Sequence, residues 1–128
     1  MRQRKFYLLV VLLIVIAGIS LFALKAAKTP VAPQETSPAV VITIDGADYF
    51  FKPNEIRVKK DQKLKIVFKN TKGFHDFVVD EFSVWTPQIL EGNSTEVIFT
   101  PNKVGVFEFY CSVGGHRALG MKGKLIVE

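Results

Sequence analysis

Leu64, Ile66 and Phe68 alternate with Lys63, Lys65 and Lys69. A repeat of two places the apolar side chains on one face of an extended strand and the lysines on the other. From residue 40 onward the chain keeps this short, two-residue rhythm. Val40–Ile44 is β-branched, and Ile56 and Val58 alternate with charged neighbours within Glu55–Lys60. Phe77–Val79, Glu96–Thr100, Val106–Cys111 and Lys124–Val127 are further strand candidates. Turn residues separate them at Asp45-Gly46, Lys60-Asp61-Gln62, Asn70–Gly73, Glu91-Gly92-Asn93 and Pro101–Gly105. About seven short strands with regular turns predict an all-β, Greek-key β-sandwich. Phe82–Leu90 fits either an irregular loop or a short helical turn. Trp85 and most of the eleven Phe are assigned to the core.

Residues 1–39 have a different character. Met1–Lys5 is basic, and Phe6–Leu24 is a run of 19 residues without a charge. Signal-peptide cores run to ~7–15 residues, whereas a membrane-spanning helix needs ~20. No clean small-x-small cleavage triplet follows Leu24, so residues 1–28 are read as a transmembrane anchor in preference to a cleaved signal helix. The membrane would be crossed through residues 6–24, with the C-terminal domain on the outer side. That places the domain in the cell envelope, on the periplasmic or extracellular face of the cytoplasmic membrane. Thr29–Ala39 holds three of the six prolines and one charge, a composition that makes a semi-extended linker. Residues 40–128 form the single folded domain, a length suited to one core.

The chain carries 17 Lys+Arg against 12 Asp+Glu, a net charge of +5 with a pI near 9.4. Arg2, Arg4, Lys5, Lys25 and Lys28 account for the excess, which leaves residues 29–128 balanced at 12 against 12. The basic signal therefore belongs to the N-terminal segment, and no nucleic-acid partner is expected. Lys59, Lys60, Lys63, Lys65 and Lys69 read as a solvated strand face.

The one cysteine excludes an intramolecular disulfide. Residues 111–121 read CSVGGHRALGM, which sets Cys111, His116 and Met121 at a Cys-x4-His-x4-Met spacing. Cys111 ends a strand, Met121 precedes the last one, and Gly114, Gly115 and Gly120 let the loop between them turn tightly. The other histidine, His75, lies in a separate turn, GFHDF. Singly, each has a plainer reading: a buried Cys, a loop His, a core Met. Together, two imidazoles, a thiolate and a thioether select copper, because a trigonal His2Cys site with a weak axial Met is the blue-copper arrangement. Zinc accepts Cys and His but gains little from a thioether.

With these residues in place, residues 40–128 resemble the cupredoxins, the small blue copper proteins that include plastocyanin, azurin, auracyanin and rusticyanin. The segment FKPNEIRVKKDQKLKIVFKN and the GFHDF turn are similar to that family's strands leading to its first histidine. The resemblance implies that His75 and His116 are the imidazole ligands of one type 1 Cu(I)/Cu(II) ion, Cys111 the thiolate and Met121 the long axial ligand. The family often has Asn after the first histidine to tie the ligand loops together. Here Asp76 stands there, with Ser112 as its expected partner. The family's Gly in one turn is replaced by Asp61-Gln62.

A closed four-donor set leaves no position for substrate, so the expected function is single-electron transfer and not catalysis. Redox protein partners, a donor and an acceptor, would dock on a monomer near His116, over Gly114, Gly115, Ala118 and Leu119, with Arg117 placed to orient an acidic surface. A copper storage or delivery module uses the same residues and stays open as the alternative. A Cys111 nucleophile with a histidine base leaves Met121 and the second histidine without a role. A binuclear copper centre would need a second cysteine.

Overall fold

The computed structural model describes residues 38–128. The anchor and most of the linker expected from the sequence lie outside the described residues. Among the described residues, no helix is long and apolar enough to cross a membrane. Thr36–Glu128 forms one compact unit.

Alternation becomes eleven strands: β1 Val40–Ala47, β2 Phe50–Lys52, β3 Glu55–Val58, β4 Leu64–Asn70, β5 Phe74–His75, β6 Val78–Val79, β7 Val84–Trp85, β8 Ile89–Leu90, β9 Ser94–Phe99, β10 Gly105–Tyr110 and β11 Lys122–Val127. One sheet has the order β2-β1-β4-β9 and the other β3-β11-β10-β6-β7, with β5-β8 as a separate small pair. β1 runs parallel to β4, and β3 runs parallel to β11, while the remaining pairs are antiparallel. Such parallel neighbours cannot be joined by a tight turn, so the chain must cross between sheets. The result is an all-β sandwich.

Leu64, Ile66 and Phe68 are fully buried, whereas Lys63 and Lys69 on the outer face are exposed, as the alternation requires. Lys65 is half-buried and pairs with Glu96 on β9 at 2.5 Å. The core centres on four phenylalanines. Phe51 stands edge-on to Phe68, Phe77 and Phe109 at centroid distances of 5.9, 6.1 and 5.4 Å, the geometry that aromatic quadrupoles favour.

Three expectations need correction. The count of strands exceeds seven because β2, β5, β7 and β8 have only two or three residues each, too short to show a period. Trp85 is 68% exposed, and Phe50 and Phe74 are also exposed. Trp85 sits on the two-residue edge strand β7, whose inward position is taken by Val84. Finally, Asp45-Gly46 is not a turn. β1 continues through it to Ala47, and the chain reverses at Asp48-Tyr49. Gly46 is there for space: a Cβ would lie 2.5 Å from Phe68 Cε2. Asp61 has φ 61°, a left-handed conformation that explains why glycine suits that turn. A 3-10 turn, Asp80–Phe82, leads into the ambiguous stretch, which then holds β7 and β8.

Candidate metal centre

Cys111 follows β10 directly, and Met121 immediately precedes β11. The antiparallel pairing of these strands brings the loop ends together: the Cys111 N–H donates to the Met121 carbonyl at 3.1 Å. Inside the loop the Met121 N–H donates to the His116 carbonyl at 2.9 Å, and the His116 N–H to the Val113 carbonyl at 3.1 Å. The chain therefore folds back twice within ten residues, which delivers three side chains from one short segment.

His75 comes from elsewhere, on the small strand β5. Asn70, 2% exposed, organises the turn before it. Its side-chain amide donates to the carbonyls of Gly73 (2.9 Å) and Ile89 (2.7 Å), and its oxygen accepts from the Lys72 N–H (3.2 Å). Gly73 has φ +87°, and a Cβ there would stand 2.8 Å from His75 Nε2, so both backbone and space require glycine. The sequence marked Asn70–Gly73 only as a turn. That Asn70 is a buried scaffold for the first histidine emerges from the fold, since Ile89 is 19 residues away.

Three of the four predicted donors converge, and the fourth, Met121, is buried with its backbone hydrogen-bonded to Cys111 and His116. His75 Nδ1 and His116 Nδ1 lie 3.1 Å apart, and Cys111 Sγ is 3.7 Å from the first and 3.6 Å from the second. The three donors form the metal-competent cluster found among the described residues. Cys111 and Met121 are fully buried, and His75 nearly so, while His116 is half-buried. The Met121 methyl lies close to Gly46, with 3.3 Å to the position of a Cβ on that glycine.

Burial, followed by the charge of His116, lowers the pKa of His75 below its usual 6.5. Burial raises the Cys111 thiol above its usual 9.0. The protein by itself thus favours neutral imidazole, ready to ligate, but opposes the thiolate. A bound cation inverts that preference, since a coordinating thiol is deprotonated outright. The donors fit copper: two Nδ1 atoms facing one sulfur, with a buried thioether beside them, are arranged as a type 1 site.

Asp76 supplies the tie between the two ligand loops. It is 3% exposed, and one carboxylate oxygen accepts the Ser112 N–H at 2.7 Å while the other accepts the Ser112 hydroxyl at 2.5 Å. An acceptor-only side chain works here because both partner groups on Ser112 can donate. The Gln88 side-chain amide donates to the same hydroxyl at 3.4 Å. Near the surface, Arg117 lies 3.8 Å above the Tyr110 ring and pairs with Glu108. Its charge is thus already engaged within the domain.

A family model described as a cupredoxin-like domain matches residues 11–127. The chain belongs to this family. A search of curated protein sequences returns no match. Among solved structures, the cupredoxin-like chain is similar to dithionite-reduced auracyanin from Roseiflexus castenholzii, with 24% identity and a TM-score of 0.64 over 70% of this chain and 98% of that one. Auracyanin A, described as a "blue" copper protein from Chloroflexus aurantiacus, matches at 22% and 0.62, over 71% of this chain and all of its own. The metal-binding domain of the Cu(I)-exporting ATPase CopA of Streptococcus pneumoniae D39 matches at 22% and 0.58, over 69% and 84%. At these identities the neighbours establish the sandwich fold.

Proposed function

We propose that this cupredoxin is a type 1 copper protein that carries single electrons between redox partners at the outer face of the cytoplasmic membrane. The carrying observation is the convergence of His75 Nδ1, His116 Nδ1 and Cys111 Sγ beside buried Met121. Copper bound there supplies a one-electron couple. The chain's own residues do the rest. His75, Cys111 and Met121 are sealed from solvent, so no position is open to a substrate. Backbone hydrogen bonds across the 111–121 loop and the Asp76–Ser112 tie hold the donors in place, which keeps reorganisation small when charge changes.

His116, half-buried, gives the site its edge to the outside. Gly114, Gly115, Ala118 and Leu119 around it are exposed, and Leu119 is 62% accessible. A small, apolar surround suits a weak, transient redox contact. The uncharged run at residues 6–24 supports attachment to the membrane, with the linker giving the domain lateral reach.

Copper delivery is the second reading. It is favoured by the fold's likeness to the CopA metal-binding domain, which holds Cu(I) in that structure. One experiment separates the outcomes. Cu(II) added to the purified unit Thr36–Glu128 produces an intense blue colour from thiolate-to-copper charge transfer, and Cys111→Ser abolishes it. A colourless complex refutes the type 1 reading. Metal that passes within seconds to a Cu(I) chelator favours delivery, whereas retained metal with reversible redox cycling favours electron transfer.

A further inference from the structure

The reversal between β1 and β2 falls on Asp48-Tyr49, and Tyr49 has φ 66°. A left-handed conformation is natural for glycine and costly for a bulky side chain, so an aromatic residue kept there points to something its ring does. Tyr49 is also 45% exposed, so core packing does not account for it. Its ring meets His116 edge-on, with centroids 5.1 Å apart and planes at 77°. The His116 ring also neighbours that of His75, at a centroid distance of 4.9 Å with the planes tilted by 56°. The imidazole of His116 therefore has two ring neighbours, one of them outside the donor set.

The same reversal reaches the other histidine's loop. Asp48 forms an ion pair with Lys72, and its Oδ1 lies 3.6 Å from the position of a Cβ on Gly73. The Tyr49 carbonyl stands next to Gly120 of the 111–121 loop. Two adjacent residues at one turn thus touch both histidine loops.

We propose that Tyr49 is a positioning residue: its ring fixes the rotation of His116, keeps Nδ1 aimed at the Cys111 sulfur and shields the half-buried imidazole from water. The inference rests on the copper reading above. Without the ring, the outer side of His116 is open, and the imidazole is free to swing toward solvent, the first step of metal loss.

The test uses the full chain, kept in detergent and loaded with copper, challenged with excess chelator while the blue band is followed. Tyr49→Gly removes the ring and at the same time relieves the left-handed backbone, so the metal-free protein keeps or raises its unfolding midpoint. Copper loss is expected to be at least tenfold faster in Tyr49→Gly, with an altered visible and EPR spectrum. Tyr49→Phe keeps the ring and is expected to match wild type within twofold. Equal retention in Tyr49→Gly overturns the proposal, as does a Tyr49→Phe variant as labile as Tyr49→Gly. A lower metal-free midpoint in Tyr49→Gly also overturns it, because the ring would then serve the fold. A wild-type chain that stays colourless overturns the copper reading and this inference with it; a blue wild type with an unaffected Tyr49→Gly overturns the inference alone.

Discussion

Asp76→Ala tests whether the tie between the ligand loops is held by its side chain. Substitution removes both acceptors of Ser112, at 2.7 and 2.5 Å. Hydrogen bonds to a charged acceptor contribute ~1.5–3 kcal/mol each. Ser112 is exposed, so its hydroxyl regains a partner in water and only the backbone N–H loses heavily. Removing a buried carboxylate also relieves its desolvation, which offsets part of the loss. The net expectation is ~2 kcal/mol of lost stability in the metal-free unit. With an m-value of ~2 kcal/mol per M, the urea midpoint falls by ~1 M and the slope does not change. Asp76→Asn keeps an oxygen for the Ser112 N–H and turns its amide toward a hydroxyl that can also accept, so its cost stays under ~1 kcal/mol. Urea unfolding of Thr36–Glu128, followed by circular dichroism, measures both. An alanine variant within ~0.2 M of wild type, or an asparagine variant as weak as alanine, refutes the reasoning.

Gly123→Ala places a Cβ 2.2 Å from Phe109 Cζ and 2.5 Å from the Asn54 carbonyl oxygen, so it is expected to destabilise by ~1–3 kcal/mol or more. Phe109→Leu in the same chain should recover only part of this, because the backbone carbonyl stays in place; a urea titration of single and double variants checks it. Met121→Gln should keep the blue colour and lower the reduction potential, and a redox titration showing no change denies Met121 the axial position. For the metal-free domain, His75 has a lowered folded pKa, so the unfolded chain binds more protons just below pH 6.5 and stability falls as pH drops through that region. Cys111 has a raised folded pKa, so its contribution is complete below pH 9.0 and is lost as pH rises beyond it. Thermal midpoints should therefore be highest between about pH 6.5 and 9, and a midpoint that rises on acidification contradicts the burial of His75.

Much of the site was readable because three of its donors share one loop. The spacing of Cys111, His116 and Met121 is local, and a turn dense in glycine can close over so short a distance. His75 was identifiable by elimination, as the only other histidine, but its meeting with Cys111 across 36 residues depends on the sandwich. Asp76 was predicted with its partner from the family resemblance, and the geometry shows why aspartate suffices: Ser112 offers two donors. Tyr49 and Asn70 are not legible in this way, since a turn tyrosine and a turn asparagine carry no mark of what they will touch.

By itself the sequence determined the fold class and the chemistry of the donors. Alternation at positions such as Leu64, Ile66 and Phe68 requires strands with one buried face, and soft nitrogen and sulfur ligands select the metal. Tertiary structure decided which apolar side chains find a partner. Trp85 is left outside because its two-residue strand closes a sheet edge. Gly46 lies within a strand, where Phe68 takes the space of a Cβ, and the chain reverses two residues later at Asp48-Tyr49, where the tyrosine ring meets His116. A pattern along the chain states which face is apolar. Only the packing of distant strands determines what that face, or a polar group beside it, will meet.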